Sequence, residues 1–169
     1  GASYGVYGPA FELCESAPRD PGREEYLNSE KYELKHWDLH RLNTIRSLIA
    51  RVNRIRRENP PLQNDSNLRF FPMDNEQMLA YGKQAGNDFI LVVVNLDANY
   101  RQAGWVHLPM RDLGLPESGR YQMHDLLADR HYLWQGPRNY VELDPKVCPA
   151  HIFRLRRYVR TEADFDYFL

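Results

Sequence analysis

Lys31 and Tyr32 stand side by side in the stretch EEYLNSEKYEL (Glu24 to Leu34), with Glu24, Glu25, Glu30 and Glu33 around them. An ammonium group next to a phenol ring suits a polyhydroxyl ligand, because charged groups hydrogen-bond hydroxyls and an aromatic ring covers the apolar face of a pyranose. On residue types alone, the plainer reading is an exposed lysine beside a tyrosine packed on its loop. His36 and His40 have i, i+4 spacing, but they straddle a helix start expected at Asp38 and lack thiolates or carboxylates at ligand spacing, so no metal site is expected. Arg46, Arg51, Arg54 and Arg57 invite a phosphate-binding reading. Basic residues in a last helical turn complement the helix dipole, and an outward helical face is ordinarily solvated, so the phosphate reading is set aside.

The elements that would position these residues follow from local physics. Tyr4 to Tyr7 is β-prone, and Gly8 and Pro9 break it, because glycine admits positive φ and proline fixes φ and lacks an N–H donor. A loop then runs through APRDPGREE until Asp38, a helix N-cap candidate. Leu42, Ile45, Leu48, Ile49, Val52 and Ile55 recur at helical spacing, and Asn59, Pro60 and Pro61 stop the helix near Glu58. Strand, loop and amphipathic helix make one βα unit, which cannot cover its own strand and belongs within a larger sheet or barrel.

After Pro61 the apolar period falls from about 3.6 to about 2. Strands are expected at Leu68–Phe71, Gln77–Lys83, Phe89–Leu96, Gly104–Leu108, Tyr121–Asp125, His131–Trp134, Tyr140–Leu143 and His151–Leu155, separated by glycine- and proline-rich turns. Strands so short and so regularly spaced point to an antiparallel sandwich or barrel. The unbroken apolar run from Phe89 to Val94 must have both faces covered.

At YGVYGPAFEL, EEYLNSEKYEL, LAYGK (Leu79 to Lys83), LVVVNLD (Leu91 to Asp97), YQMHDLL (Tyr121 to Leu127), NYVELDP (Asn139 to Pro145), PAHIF (Pro149 to Phe153) and the terminal TEADFDYFL, the sequence resembles the α-amylase superfamily, glycoside hydrolase family 13. Within it the closer resemblance is to the α-1,4-glucan:maltose-1-phosphate maltosyltransferases. The resemblance implies a mainly β chain: residues 1–59 as the last βα unit of a TIM barrel, residues 60–158 as an antiparallel β-sandwich of the amylase C-terminal type, and residues 159–169 as a tail. It implies that Lys31 and Tyr32 bind the maltosyl unit of the substrate, at the loop end of a barrel strand where such enzymes build their sites.

Retaining glycosyl transfer needs two carboxyl groups roughly 5 Å apart. In the family these come from earlier barrel strands, and no motif here matches them, so this chain is expected to hold no catalytic residue and to be inactive alone. Glu12 is then a structural acceptor for loop backbone donors. Trp105, Trp134 and Tyr132 could form a stacking platform for a glucan, but aromatics at alternate strand positions are more often core. The longer enzyme implied would move maltosyl units from maltose 1-phosphate to the non-reducing end of an α-1,4-glucan, without metal or organic cofactor, as a cytoplasmic homodimer. The alternatives are a hydrolytic α-amylase relative and a glucan-binding β-sandwich module.

At 169 residues the chain is shorter than an entire barrel of roughly 250 residues. A net charge of −1 and a pI near 6.7 give no bulk attraction to nucleic acid or anionic membranes. No apolar run approaches the roughly 18 residues of a membrane helix. Cys14 and Cys148 are expected to be reduced thiols.

Overall fold

The structure, a computed structural model, describes residues 5–6, 8–27, 34, 36–42 and 44–156. Lys31 and Tyr32, the ends of the expected strand at Tyr4 and Tyr7, and the TEADFDYFL terminus lie outside these. The chain divides into two compact units, residues 1–55 and 56–169.

In the first unit Gly5 and Val6 belong to no regular element, and Gly8–Glu12 forms one helical turn, α1, where a loop was expected. Proline just inside a helix start costs nothing, since its missing N–H would lack a partner there anyway. Cys14 closes the turn in a left-handed conformation (φ 58°). The Glu15 amide bonds the Ala10 carbonyl (2.9 Å) and the Cys14 amide bonds the Phe11 carbonyl (3.2 Å), the double closure of a Schellman motif. The following loop folds back on itself: Pro18 and Tyr26 form an antiparallel bridge, and the Arg23 amide bonds the Asp20 carbonyl (3.0 Å) around Pro21 and Gly22. Gly22 has φ 77°, as the third residue of a type II turn requires.

The long helix, α2, spans Arg46–Glu58, so its start lies well after Asp38. Asp38 instead closes a local turn, its Oδ1 accepting the His40 amide at 2.9 Å. Asparagine and aspartate side chains favour this competing geometry. Leu42, read as part of the helical stripe, precedes the helix and is 82% exposed; Ile55 is the buried end of that stripe. Gln63 Nε2 donates to the Arg57 carbonyl (2.8 Å), satisfying an orphan acceptor at the C-terminus of α2. Pro60–Gln63 adds a 3-10 turn.

The second unit is an antiparallel β-sandwich. Its strands are β1 (Leu68–Phe71), β2 (Met78–Ala85), β3 (Asp88–Asn95), β4 (Gln102–His107), β5 (Arg120–Asp125), β6 (Arg130–Gln135), β7 (Arg138–Leu143) and β8 (Ala150–Arg156). Every strand expected from the alternating pattern is present, with ends shifted by a residue or two. Six of them form a sheet in the order β1-β2-β3-β8-β5-β6, and β4 pairs with β7 in a second, small sheet. All pairings are antiparallel. The core lies between the sheets: Ala80, Leu91, Val93, Tyr121, Met123 and Phe153 from the large one meet Val106, Val141 and Leu143 from the small one. Leu108, Met110, Leu113 and Leu115 close the sides from the segment after β4.

β3 is the strand covered on both faces. Leu91 and Val93 face the core, while Ile90 and Val92 on its other face are also buried. The buried Lys83 on neighbouring β2 donates to the Asn64 carbonyl, with Asp65 at 3.6 Å, so its charge is paired as burial requires.

Gly82 on β2 marks the tightest packing. A Cβ there would lie 2.5 Å from Phe71 Cε2 and 2.6 Å from Phe89 Cε2, and those two rings already meet edge to face at 5.9 Å. Gly82→Ala is therefore expected to destabilise the sandwich by about 1–3 kcal/mol, as overpacking does. Urea unfolding measures this, and an unchanged midpoint would mean that the two rings shift freely.

Candidate functional site

In the first unit the chain just after the Lys31–Tyr32 pair shapes a cleft of about 240 Å³ lined by Leu13, Glu15, His36, Trp37, Asp38 and Arg41. This is small against the roughly 300–1,000 Å³ of a typical ligand pocket. Arg41 Nη1 donates to Glu15 Oε1, which closes a loop of 26 residues. Arg46 Nη1 donates to the Leu39 carbonyl at 2.7 Å and fixes the segment leading into α2. An indole, two carboxylates, an imidazole and a guanidinium thus surround one recess, a set able to hydrogen-bond hydroxyls. No spacing rule brings Glu15 to Arg41; only folding of the loop does.

Glu12 ends α1. Its carbonyl accepts the Ile45 amide (3.2 Å), and its carboxylate faces Arg46 Nε at 3.9 Å, so the loop donor is taken by the main chain and the side chain is matched to an arginine. Glu25 pairs with Arg19 at 3.4 Å; Glu30 and Glu33 lie outside the described residues. His36 and His40 precede α2, so their i, i+4 spacing is not that of a helix face. Among the described residues no group of three or more His, Cys, Asp or Glu side chains could hold a metal.

In the second unit the structure separates the three aromatics that sequence spacing grouped. Trp134 is core, edge-on to Phe153 at 5.2 Å and Tyr121 at 6.3 Å. Tyr132 packs against that core beside Phe153 at 5.7 Å. Trp105 stands on the outer face of β4, 5.6 Å from Tyr140 on β7, and Arg138 lies over its ring at 4.6 Å. Tyr140 and Arg138 were not singled out from sequence. The signal was present: Val106 and Val141 alternate inward, which turns Trp105 and Tyr140 outward on paired strands.

The most buried charge is Asp125 at the end of β5, which is fully enclosed. Its Oδ2 accepts His151 Nδ1 at 2.8 Å, and its Oδ1 accepts the amides of Leu127 (3.1 Å) and Ile152 (3.3 Å). Burial alone would raise its pKa; the His151 hydrogen bond, the His151 charge and the two amides outweigh it and hold the carboxyl below the ordinary range. His124 and His131 stack across β5 and β6 at 4.2 Å, with His124 Nε2 bonded to Asp129 at 2.7 Å.

Residues 70–155 match the family model described as "GLGE, C-terminal". The chain belongs to that family. It is also 49% identical over 156 residues to the α-1,4-glucan:maltose-1-phosphate maltosyltransferase of Methylacidiphilum infernorum, a match covering 91% of this chain and 23% of that protein. The enzyme of the same name from Chlorobaculum tepidum is 48% identical over 162 residues, covering 91% of this chain and 24% of its own. The chain thus spans about a quarter of the length of these relatives. Among solved structures, the maltogenic α-amylase AmyB of Thermotoga neapolitana superposes with a TM-score of 0.54 at 19% identity, over 69% of this chain and 26% of that one. That likeness shows the fold, a sandwich of the amylase type.

The Asp125 geometry has a pH signature. A carboxyl whose folded pKa is depressed adds stability in full above its unfolded value near 3.9, and that stability is lost as pH falls through the lower folded value. Asp125→Asn is expected to cost about 1–3 kcal/mol at pH 7, with the gap to wild type closing in strong acid. Urea unfolding at neutral and acid pH checks this, and a gap independent of pH would assign the loss to packing rather than charge.

Proposed function

We propose that this chain is the C-terminal part of a longer α-1,4-glucan:maltose-1-phosphate maltosyltransferase. Residues 1–59 would complete its catalytic barrel, residues 60–158 form its sandwich domain and residues 159–169 a tail. The observation that carries the reading is the 49% identity to an enzyme of that name across 91% of the chain. The longer enzyme transfers maltosyl units from maltose 1-phosphate to the end of an α-1,4-glucan with retention, and needs two carboxyl groups roughly 5 Å apart from outside this chain. The 169-residue chain alone is therefore expected to be inactive. Free Cys14 and Cys148 support the cytoplasm as its compartment, and a homodimer is the assembly proposed.

Lys31 and Tyr32 are proposed to contact the maltosyl unit. The described segments on either side of them in sequence form the polar cleft of Glu15, Trp37, Asp38 and Arg41, whose chemistry suits a sugar. Incubating the longer enzyme with glycogen and inorganic phosphate should release maltose 1-phosphate; release of free sugars independent of phosphate would mark a hydrolytic relative instead. In that enzyme Lys31→Ala should lower kcat/KM for the donor by about 1–3 kcal/mol in transition-state terms with little change in stability. Tyr32→Phe separates hydroxyl from ring: lost activity implicates the hydroxyl, and retained activity leaves stacking. Unchanged donor kinetics in Lys31→Ala would remove the pair from the site.

A further inference from the structure

Trp105 and Tyr140 are 38% and 50% exposed on the outer face of the small sheet, directly opposite each other in the β4–β7 register. The two rings meet edge to face at 67°. The Trp105 amide donates to Asp74 Oδ1 (2.6 Å), and Asp74 Oδ2 accepts Arg138 Nη2 (3.3 Å), whose guanidinium lies over the indole. The Tyr140 hydroxyl donates to Glu142 Oε2 (3.2 Å), and Arg101 bridges Glu142 and Asp144, each at 3.1 Å. Arg138 over the indole and Glu142 on the Tyr140 hydroxyl restrain two part-exposed rings without burying them, which lowers the entropy cost of anything that lands on their remaining surface.

We propose that Trp105 and Tyr140 form a stacking surface for the pyranose rings of a neutral α-glucan chain. The choice of glucan among sugars rests on the function proposed above. Three features favour such an occupant. Aromatic rings offer the apolar faces of pyranoses a matching surface. The charges at the rim, Arg101 and Arg138 against Asp74, Glu142 and Asp144, are already paired with one another, so a charged ligand would have to break a pair whereas hydroxyls can bond to the free lone pairs and N–H groups. And two rings on a two-stranded sheet fall far short of the roughly 800 Å² per partner that a stable protein interface takes.

The test is titration of the 169-residue chain with maltoheptaose, followed by the indole N–H signals of Trp37, Trp105 and Trp134 in nitrogen-correlated NMR spectra. The Trp105 signal should move while that of the core residue Trp134 stays in place. By isothermal titration calorimetry Trp105→Ala should abolish binding, and Tyr140→Ala should weaken it by about 3- to 10-fold, the scale of one aromatic contact. Leu133→Ala, at an exposed apolar position on β6, should leave binding unchanged. Near-UV circular dichroism verifies the fold of each variant. Equal binding by folded Trp105→Ala, no shift up to the solubility limit of the sugar, or tighter binding to sulfated dextran than to the neutral oligomer would overturn the proposal. The readout is binding rather than turnover, so a longer enzyme that failed to use maltose 1-phosphate would leave this result standing, and loss of binding would leave the transfer reaction untouched.

Discussion

The sandwich turns on one buried polar cluster where the chain passes from β6 in the large sheet to β7 in the small one. Tyr121 on β5 donates its hydroxyl to the Gly136 carbonyl (2.9 Å) and accepts from Asn139 Nδ2 (2.8 Å), which also reaches Gly136 (3.0 Å). Burial pushes the Tyr121 hydroxyl well above its ordinary pKa, so it stays a neutral donor. Gly136 sits at φ 64°, open to glycine and strained for other residues. With Pro137 it turns the chain from β6 into β7, and the Pro137 carbonyl accepts the Leu108 amide (2.8 Å) just past β4. Buried donors and acceptors left unpaired cost more than a net hydrogen bond gains, so this cluster has one low-energy arrangement. That arrangement fixes β7, hence its register on β4, hence the placing of Trp105 against Tyr140.

Two asparagine and aspartate side chains perform the same service elsewhere. Asn95 at the end of β3 donates to the carbonyls of Tyr100 and Leu143, tying the large sheet to the last residue of β7. Asp125 binds the β5–β6 turn to the start of β8 through His151 and the Ile152 amide. Apolar burial supplies most of the driving force but is non-directional. These polar ties decide which strand lies where, and they do so at the sheet ends, where ladder hydrogen bonds run out.

Legibility in the sequence follows this division. The eight strands were readable because alternation with period 2 is a local property, and because each apolar face had a core to meet. The start of α2 was not. Asp38 is as good an acceptor for a local turn as for a helix cap, and Leu42 continues a helical spacing that nothing covers, so the pattern alone overextends the helix by two turns. The aromatic grouping failed for a related reason. Trp134 and Trp105 look alike in sequence, and it is the face each takes on its own strand that puts one ring in the core and the other on the outer face of the small sheet.

The amino-acid sequence by itself determined the element types and strand positions of the second unit, the buried run of β3 and, through its motifs, the family to which the chain belongs. Tertiary structure alone decided the strand order β1-β2-β3-β8-β5-β6, the separation of β4 and β7 into their own sheet, the partnership of Glu15 with Arg41 and of Asp125 with His151, and the exposed pairing of Trp105 with Tyr140. Periodicity is written within a few consecutive residues, where the backbone imposes it. Contacts between residues 26 or more apart depend on which buried polar groups can all be satisfied at once, and that condition exists only when the whole chain is folded.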